Sequence, residues 1–144
     1  MEPEKLQLAI EMAENGNIEA AAYLGNQYYF GWGDLELDLE KALKFLTIAA
    51  EGGHAMSQFL LGHMYGAGRG VERDSVKAFE WFLKAAEQGI PEAMYNVGGA
   101  LLQSSDPEKK AEGKQWMIRS ANAGYDAAQD YDFDDDEEDE EDDA

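Results

Sequence analysis

Residues 50–89 read AEGGHAMSQFLLGHMYGAGRGVERDSVKAFEWFLKAAEQG, and the same pattern returns on both sides of this stretch. Residues 14–53 read ENGNIEAAAYLGNQYYFGWGDLELDLEKALKFLTIAAEGG, and residues 87–124 read EQGIPEAMYNVGGALLQSSDPEKKAEGKQWMIRSANAG. The glycines that close these units recur at intervals of 37, 36 and 35 residues, at Gly16, Gly53, Gly89 and Gly124. A period of this length is typical of a repeat protein, in which each unit is one supersecondary structure.

Each unit has the pattern of two helices. In the second half of the central unit, apolar and small residues follow the i, i+3, i+4, i+7, i+8 spacing of an amphipathic helix, at Ala78, Trp81, Phe82, Ala85 and Ala86. An aspartate precedes each second helix at a position that favours an N-cap, at Asp38, Asp74 and Asp106.

Small residues at fixed positions predict close helix packing. Gly25, Gly62 and Gly98 occupy the same place in the three first helices, where a missing side chain lets a neighbouring helix approach. We expect Trp81, Tyr28 and Tyr65 to lie in the core.

One helix pair cannot cover its own apolar face, so such units stack on one another. The predicted fold is therefore all-α, a short right-handed α-solenoid of about three antiparallel helix-pair repeats. The expected repeat domain spans residues 1–125, with a partial N-terminal helix over 3–15 and units at about 17–53, 54–89 and 90–124. The third unit departs from the pattern, because Ser104 and Asp106 replace the two glycines of the inner turn. We expect that turn to differ.

Composition excludes several classes of function. The chain has 31 acidic and 11 basic residues and a net charge of -20, which argues against binding nucleic-acid phosphates or anionic lipid. It has no cysteine and two histidines, so we predict no catalytic residue, no metal site and no cofactor. No segment approaches the roughly 20 apolar residues of a membrane span. The first ten residues lack a basic, apolar leader, and a cytoplasmic location is expected.

Residues 126–144 form an acidic low-complexity tail, in which residues 134–143 are all acidic. Such a segment buries too little apolar surface to offset chain entropy, so we expect disorder. It is either a solubilising tail, an arm that attracts a basic protein surface, or a mimic of nucleic acid. Its acidic spacing matches a calcium loop, but Asp135 stands where that loop needs glycine. We predict no calcium site.

Three motifs carry a resemblance to a known family. They are A-x-Y-L-G-x-x-Y-x-x-G-x-G at 21–33, F-L-L-G-x-x-Y-x-x-G-x-G-V at 59–71, and D-x-x-K-A-x-x-W-x-x-K-A-A-E-x-G at 74–89. Over residues 5–125 the chain resembles the Sel-1-like repeat, a relative of the tetratricopeptide repeat. The resemblance implies an α-solenoid that serves as a protein–protein adaptor without chemistry of its own. Some bacterial members of that family neutralise toxins, which implies an immunity protein as an alternative.

Repeat register also selects candidate binding residues. The inner face of the first helices is expected to carry aromatic and polar side chains suited to recognising a peptide or helix. The candidates there are Asn26, Tyr29, Phe30, Met56, Phe59, His63, Glu92, Tyr95 and Gln103, joined by Asp134, Asp135 and Asp136 of the tail. His54 is expected to be a turn residue.

The sequence therefore predicts a non-catalytic module that binds a protein or peptide through the concave face of the solenoid, with the tail contacting a basic partner surface. A toxin-neutralising immunity protein is one alternative. A self-assembling or chaperone-like subunit is another, because apolar residues Leu6, Leu8, Ile10 and Met12 lie at the N-terminal end. The chain is expected to be a monomer or a weak homo-oligomer through its end helices, and to bind neither nucleic acid nor membrane.

Overall fold

The computed structural model describes residues 2–132 as helices joined by short turns. The helices are α1 (Pro3–Glu14), α2 (Ile18–Phe30), α3 (Leu39–Glu51), α4 (Ala55–Ala67), α5 (Ser75–Glu87), α6 (Pro91–Leu102), α7 (Pro107–Asn122) and α8 (Asp126–Gln129). The three helix pairs that the repeats predict are α2–α3, α4–α5 and α6–α7. The predicted all-α repeat fold is confirmed.

The chain forms two compact units. The N-terminal unit ends at Ile90 and holds α1–α5, and the C-terminal unit begins at Pro91 and holds α6–α8. Within the N-terminal unit each helix packs on the next, and the partners within a pair share the most extensive contact. Within the C-terminal unit α6 packs on α7, and α7 packs on α8.

Side-chain caps and left-handed glycines fix the helix ends. The predicted N-caps are confirmed, because Asp38, Asp74 and Asp106 each accept a hydrogen bond from a backbone N–H in the first turn of the following helix. Helices α2 and α4 both end at a glycine with φ of 68°, Gly31 and Gly68. This conformation disfavours residues with a Cβ, which explains why the first glycine of the inner turn recurs.

The three register glycines lie at close helix contacts, as expected. A Cβ added to Gly25 would lie 2.6 Å from Leu46 Cδ2, and one added to Gly62 would lie 2.6 Å from Phe82 Cδ1. In the third pair the neighbour is backbone, since a Cβ on Gly98 would lie 2.9 Å from the carbonyl oxygen of Gly113. Helices within a pair therefore approach more closely than side chains would allow.

The third pair has a shorter inner turn and a longer second helix. Helix α7 has 16 residues, whereas α3 and α5 have 13 each. It begins at Pro107, directly after the capping Asp106, whose own N–H donates to Ser104 Oγ at 3.1 Å. Proline suits the first helical turn because its missing N–H would have no intrahelical partner there. An added helical turn thus replaces the glycine turn of the other pairs.

Helix α8 begins in the same way as a first helix. Gln58 Nε2 in α4 donates to the carbonyl oxygen of Ala50 at 3.2 Å, and Gln129 Nε2 in α8 donates to that of Ala121 at 3.1 Å. Both glutamines stand five positions after the glycine that closes a unit. The contact that joins α4 to α3 is therefore repeated between α8 and α7.

Candidate functional site

The predicted binding residues of the N-terminal unit divide into exposed and buried sets. Phe30, Met56 and His63 are exposed on α2 and α4, whereas Tyr29 and Phe59 are buried. The two buried rings contact exposed neighbours: Tyr29 meets Phe30 edge-on at 4.7 Å, and Phe59 meets His63 edge-on at 4.6 Å. Because Tyr29 and Phe59 are buried, a partner would contact Phe30 and His63, and the two buried rings support these exposed side chains.

An aromatic cluster lies at the end of α2. The rings of Phe30 and Trp32 stack with centroids 4.2 Å apart and planes 12° apart. The Arg69 guanidinium lies 4.6 Å from the Tyr29 ring, and its Nη2 donates to the Tyr29 carbonyl oxygen at 3.5 Å. We define Tyr29, Phe30, Trp32 and Arg69 as the aromatic cluster. Phe30 and Trp32 are both exposed, so the cluster presents two rings on a fixed base.

Sequence reasoning did not select Trp32. It stands between Gly31 and Gly33 in the inner turn, outside any helical register. The position was predicted only as a turn. The available signal was the residue type, because a tryptophan in a turn has few neighbours to bury it and is enriched at interface hot spots when exposed.

Asn26 has an unsatisfied oxygen on the same helix. Its Oδ1 atom is buried and has no hydrogen-bond partner among the described residues. Leaving a buried polar atom unpaired costs about 1–3 kcal/mol. The amide therefore retains a capacity to accept an N–H if its side chain turns outward.

The two histidines have structural surroundings. His54 is the N-cap of α4, where its Nδ1 accepts from the Ser57 backbone N–H at 3.2 Å and lies 2.8 Å from Ser57 Oγ. The expected turn role of His54 is confirmed. The His63 ring meets Phe82 edge-on, with centroids 5.3 Å apart.

In the C-terminal unit, Glu92 and Tyr95 both contact Tyr125. The Tyr125 hydroxyl donates to Glu92 Oε1 at 3.4 Å, and the rings of Tyr95 and Tyr125 lie 5.2 Å apart. Burial raises the pKa of the Tyr125 hydroxyl above its ordinary value of 10.0, and the nearby Glu92 charge and hydrogen bond raise that pKa further. Gln103 is exposed at the end of α6. Glu92 and Tyr95 thus form one polar group with Tyr125.

Trp81 does not lie in the core, which corrects the prediction. Its counterparts Phe45 and Trp116 are buried, whereas Trp81 is half-buried. It lines an open groove of about 470 Å³ together with Leu61, Tyr65 and Thr47. Lys84 Nζ lies 4.9 Å from the Trp81 ring. The open groove leaves part of the indole uncovered, and the lysine provides a cation–π contact there.

Tyr28 is buried as predicted, but Tyr65 is half-buried, which is a second correction. Tyr65 lines the same groove as Trp81, and Lys77 Nζ lies 5.3 Å from its ring. Across residues 2–132 no group of three or more acidic or histidine side chains could hold a metal ion. No helix in that range is long and apolar enough to cross a membrane. Asp134, Asp135 and Asp136 lie outside the described residues.

Comparison with known proteins identifies similar repeats along most of the chain. A family model described as Sel1 repeat matches residues 18–54, 55–90 and 91–125. The chain is 36% identical over 109 residues to the ERAD-associated E3 ubiquitin-protein ligase component HRD3B of Arabidopsis thaliana, covering 75% of this chain and 17% of that protein. It is 30% identical over 95 residues to the chitin synthase regulator SKT5 of Saccharomyces cerevisiae, covering 65% and 14%. The chain thus spans less than a fifth of these relatives.

Solved structures show the same fold. The Sel1 repeat protein of Oxalobacter formigenes superposes with a TM-score of 0.73 at 32% identity, covering 87% of this chain and 94% of that one. A protective antigen of uropathogenic Escherichia coli that displays an SLR fold gives a TM-score of 0.73 at 33% identity, covering 86% and 27%.

Proposed function

Because this chain belongs to the Sel1 repeat family, we propose that it is a non-catalytic module that binds a protein or peptide through the exposed face of its first helices. Two relatives support this proposal by their names, which describe a ligase component and a chitin synthase regulator. A cytoplasmic location stays a prediction.

The exposed pair of Phe30 and Trp32 carries the proposal. Its two rings are stacked, and Phe30 also meets the buried Tyr29. Phe30 and Trp32 would therefore lose little side-chain entropy when a partner covers them. Aromatic side chains held in this way are frequent hot spots of protein interfaces. Asn26, one turn before Phe30 on α2, adds an acceptor oxygen that a partner N–H would satisfy once the side chain turns outward. The two rings suit contact with an apolar side chain of the partner, and the Asn26 oxygen suits a backbone N–H of the partner.

We further propose that the partner has a basic surface. The acidic run over residues 134–143 follows a repeat domain of moderate negative charge. Opposite charges across an interface raise association rates and exclude wrong partners. An immunity protein fits the same reading if the partner is a toxin, and a self-assembling subunit would instead capture further copies of this chain.

Affinity capture from the native cell tests the proposal. The bait is the full chain, compared with the double variant Phe30→Ser/Trp32→Ser and with the control variant Val76→Ser. Val76 is exposed on α5, away from Phe30 and Trp32 in sequence. We expect the full chain and the control to retain a partner that the double variant loses. Identical captured proteins for all three baits would contradict a role for the aromatic cluster.

The identity of the captured partner separates the alternatives. A heterologous protein supports an adaptor, a toxin supports an immunity protein, and copies of the chain itself support an assembly subunit. Capture repeated at higher salt shows whether charge contributes, because salt screens exposed ionic contacts.

A further inference from the structure

Helix α1 is a second helix without its first helix among the described residues. Counting back from the repeat glycines Gly16 and Gly53, Leu8 of α1 corresponds to Phe45 of α3, and Met12 corresponds to Ala49. In α3 these positions are 3% and 0% exposed, whereas Leu8 is 57% and Met12 is 41% exposed. The face that α2 covers on α3 is therefore open on α1.

Helix α2 also exposes a side chain whose equivalent in α4 is buried. Tyr23 corresponds to Leu60 of α4. Leu60 is 6% exposed, but Tyr23 is 50% exposed. The open surface thus extends from α1 onto α2, and we call Leu8, Met12 and Tyr23 the open face.

Helix α1 has a smaller side chain than α3, α5 and α7 at the position that faces a first helix. Ala9 stands where α3 has Leu46, α5 has Phe82 and α7 has Met117. Each of those larger side chains meets a glycine of its first helix. A helix that packs on α1 needs no glycine there, because the small Ala9 leaves room for a side chain of the incoming helix.

The charged side chains around the open face indicate which kind of helix it would bind. Glu4, Lys5 and Glu11 stand within four positions of Leu8 on the same helix, which places two acidic side chains and one basic side chain beside it on the surface. An adjoining cavity of about 720 Å³ is lined by Tyr23, Glu2 and Asp34, with Lys5 as its basic residue. Acidic borders around apolar side chains favour a helix with basic residues beside an apolar stripe. A second copy of this acidic chain is disfavoured, since like charges would meet.

We propose that the open face docks a basic amphipathic helix of another protein, which packs on α1 in the place of a first helix. The open face shares no residue with the aromatic cluster, and the proposal does not depend on the function proposed for that cluster. The docked helix bears an apolar side chain, rather than glycine, opposite Ala9.

The test uses synthetic amphipathic peptides of about four helical turns that share a leucine stripe. One peptide has lysines beside the stripe, a second has glutamates there, and a third is the lysine peptide with glycine at the centre of the stripe. Binding to the full chain is measured by fluorescence anisotropy. We expect the lysine peptide to bind at least about tenfold more tightly than the glutamate peptide, and the glycine peptide to bind more weakly than its leucine parent.

Protein variants locate the contact. Leu8→Ser/Met12→Ser and, separately, Tyr23→Ser should weaken binding of the lysine peptide, the double variant by about tenfold or more. Val76→Ser is the matched control, because it removes an exposed apolar side chain from another helix. Circular dichroism checks that each variant is folded.

Three results would overturn the proposal. One is equal binding of the lysine and glutamate peptides, and a second is undiminished binding by the double variant. The third is sedimentation showing that the unchanged chain self-associates and that Leu8→Ser/Met12→Ser abolishes this, which would make a second copy the occupant of the open face.

Discussion

Gly98 and Gly113 bring the backbones of α6 and α7 into direct contact. A Cβ atom built on either residue would lie 2.9 Å from the carbonyl oxygen of the other. In the first two pairs the corresponding glycine meets the side chains of Leu46 or Phe82. A side chain can change its rotamer, whereas a helix backbone moves only as a unit, so the third pair tolerates the least change.

This contact predicts opposite effects for two adjacent glycines. Gly98→Ala should destabilise the protein by about 1–3 kcal/mol, because it overpacks the helix contact. Gly99→Ala is the control, since a Cβ there would meet nothing within 4 Å. It should stabilise by about 0.5–1 kcal/mol through better helix propensity. Chemical denaturation measures both, and equal shifts of the same sign would refute the contact.

His54 should contribute to stability as a helix cap. His54→Ala removes the acceptor for the Ser57 N–H and should cost about 0.5–2 kcal/mol. His54→Asn should restore most of this, because Asn17 already caps α2 by accepting from the Ala20 N–H at 2.9 Å. Thermal unfolding of the two variants checks the prediction, which fails if alanine and asparagine behave alike.

The sequence predicted the helices and their caps more reliably than the exposure of individual rings. Asp74 follows a local rule, since capping depends on the residue and the first turn of its helix. Gly62 was predictable because the same glycine recurs in each unit, although the helix that it contacts is a neighbour. Trp81 and Tyr65 were expected in the core because periodicity defines the apolar face of a helix. Whether a neighbour covers the whole of that face depends on tertiary packing, and here a groove leaves both rings half-buried.

The candidate site was predictable only in part, because register does not show which side chains a neighbouring element covers. Register selected Phe30, which is exposed on α2, but it also selected Tyr29, which is buried. Trp32 was missed because its position depends on the turn conformation that Gly31 and Gly33 adopt. Such turns have no periodicity from which to infer a neighbour.

The raised pKa of Tyr125 predicts that the unfolding free energy depends on pH in the alkaline range. Its pKa is raised in the folded state, so its proton is held more tightly there than in the unfolded chain. The stability that this contributes is complete below the ordinary pKa of 10.0 and is lost as the pH rises through the folded value. The unfolding free energy of the unchanged chain should therefore fall relative to that of Tyr125→Phe above about pH 10. Parallel curves would show that Tyr125 does not contribute.

Removing residues 133–144 should affect association rather than folding. The repeats end at residue 125, so the melting temperature should stay nearly unchanged. The association rate with the captured partner should fall, and its dependence on salt should become flatter, because ten acidic residues are lost. Stopped-flow measurements across a salt series check this. Unchanged rates and salt slopes would leave the tail with a solubilising role.

The bonds of Gln58 to Ala50 and of Gln129 to Ala121 give the two junctions the same side-chain contact. Residues that follow Gln58 could therefore be grafted after Gln129 with the joint already in place. Duplication of one unit would then lengthen the array without a newly evolved connection. An array lengthened in this way would keep the glutamine contact at each new junction.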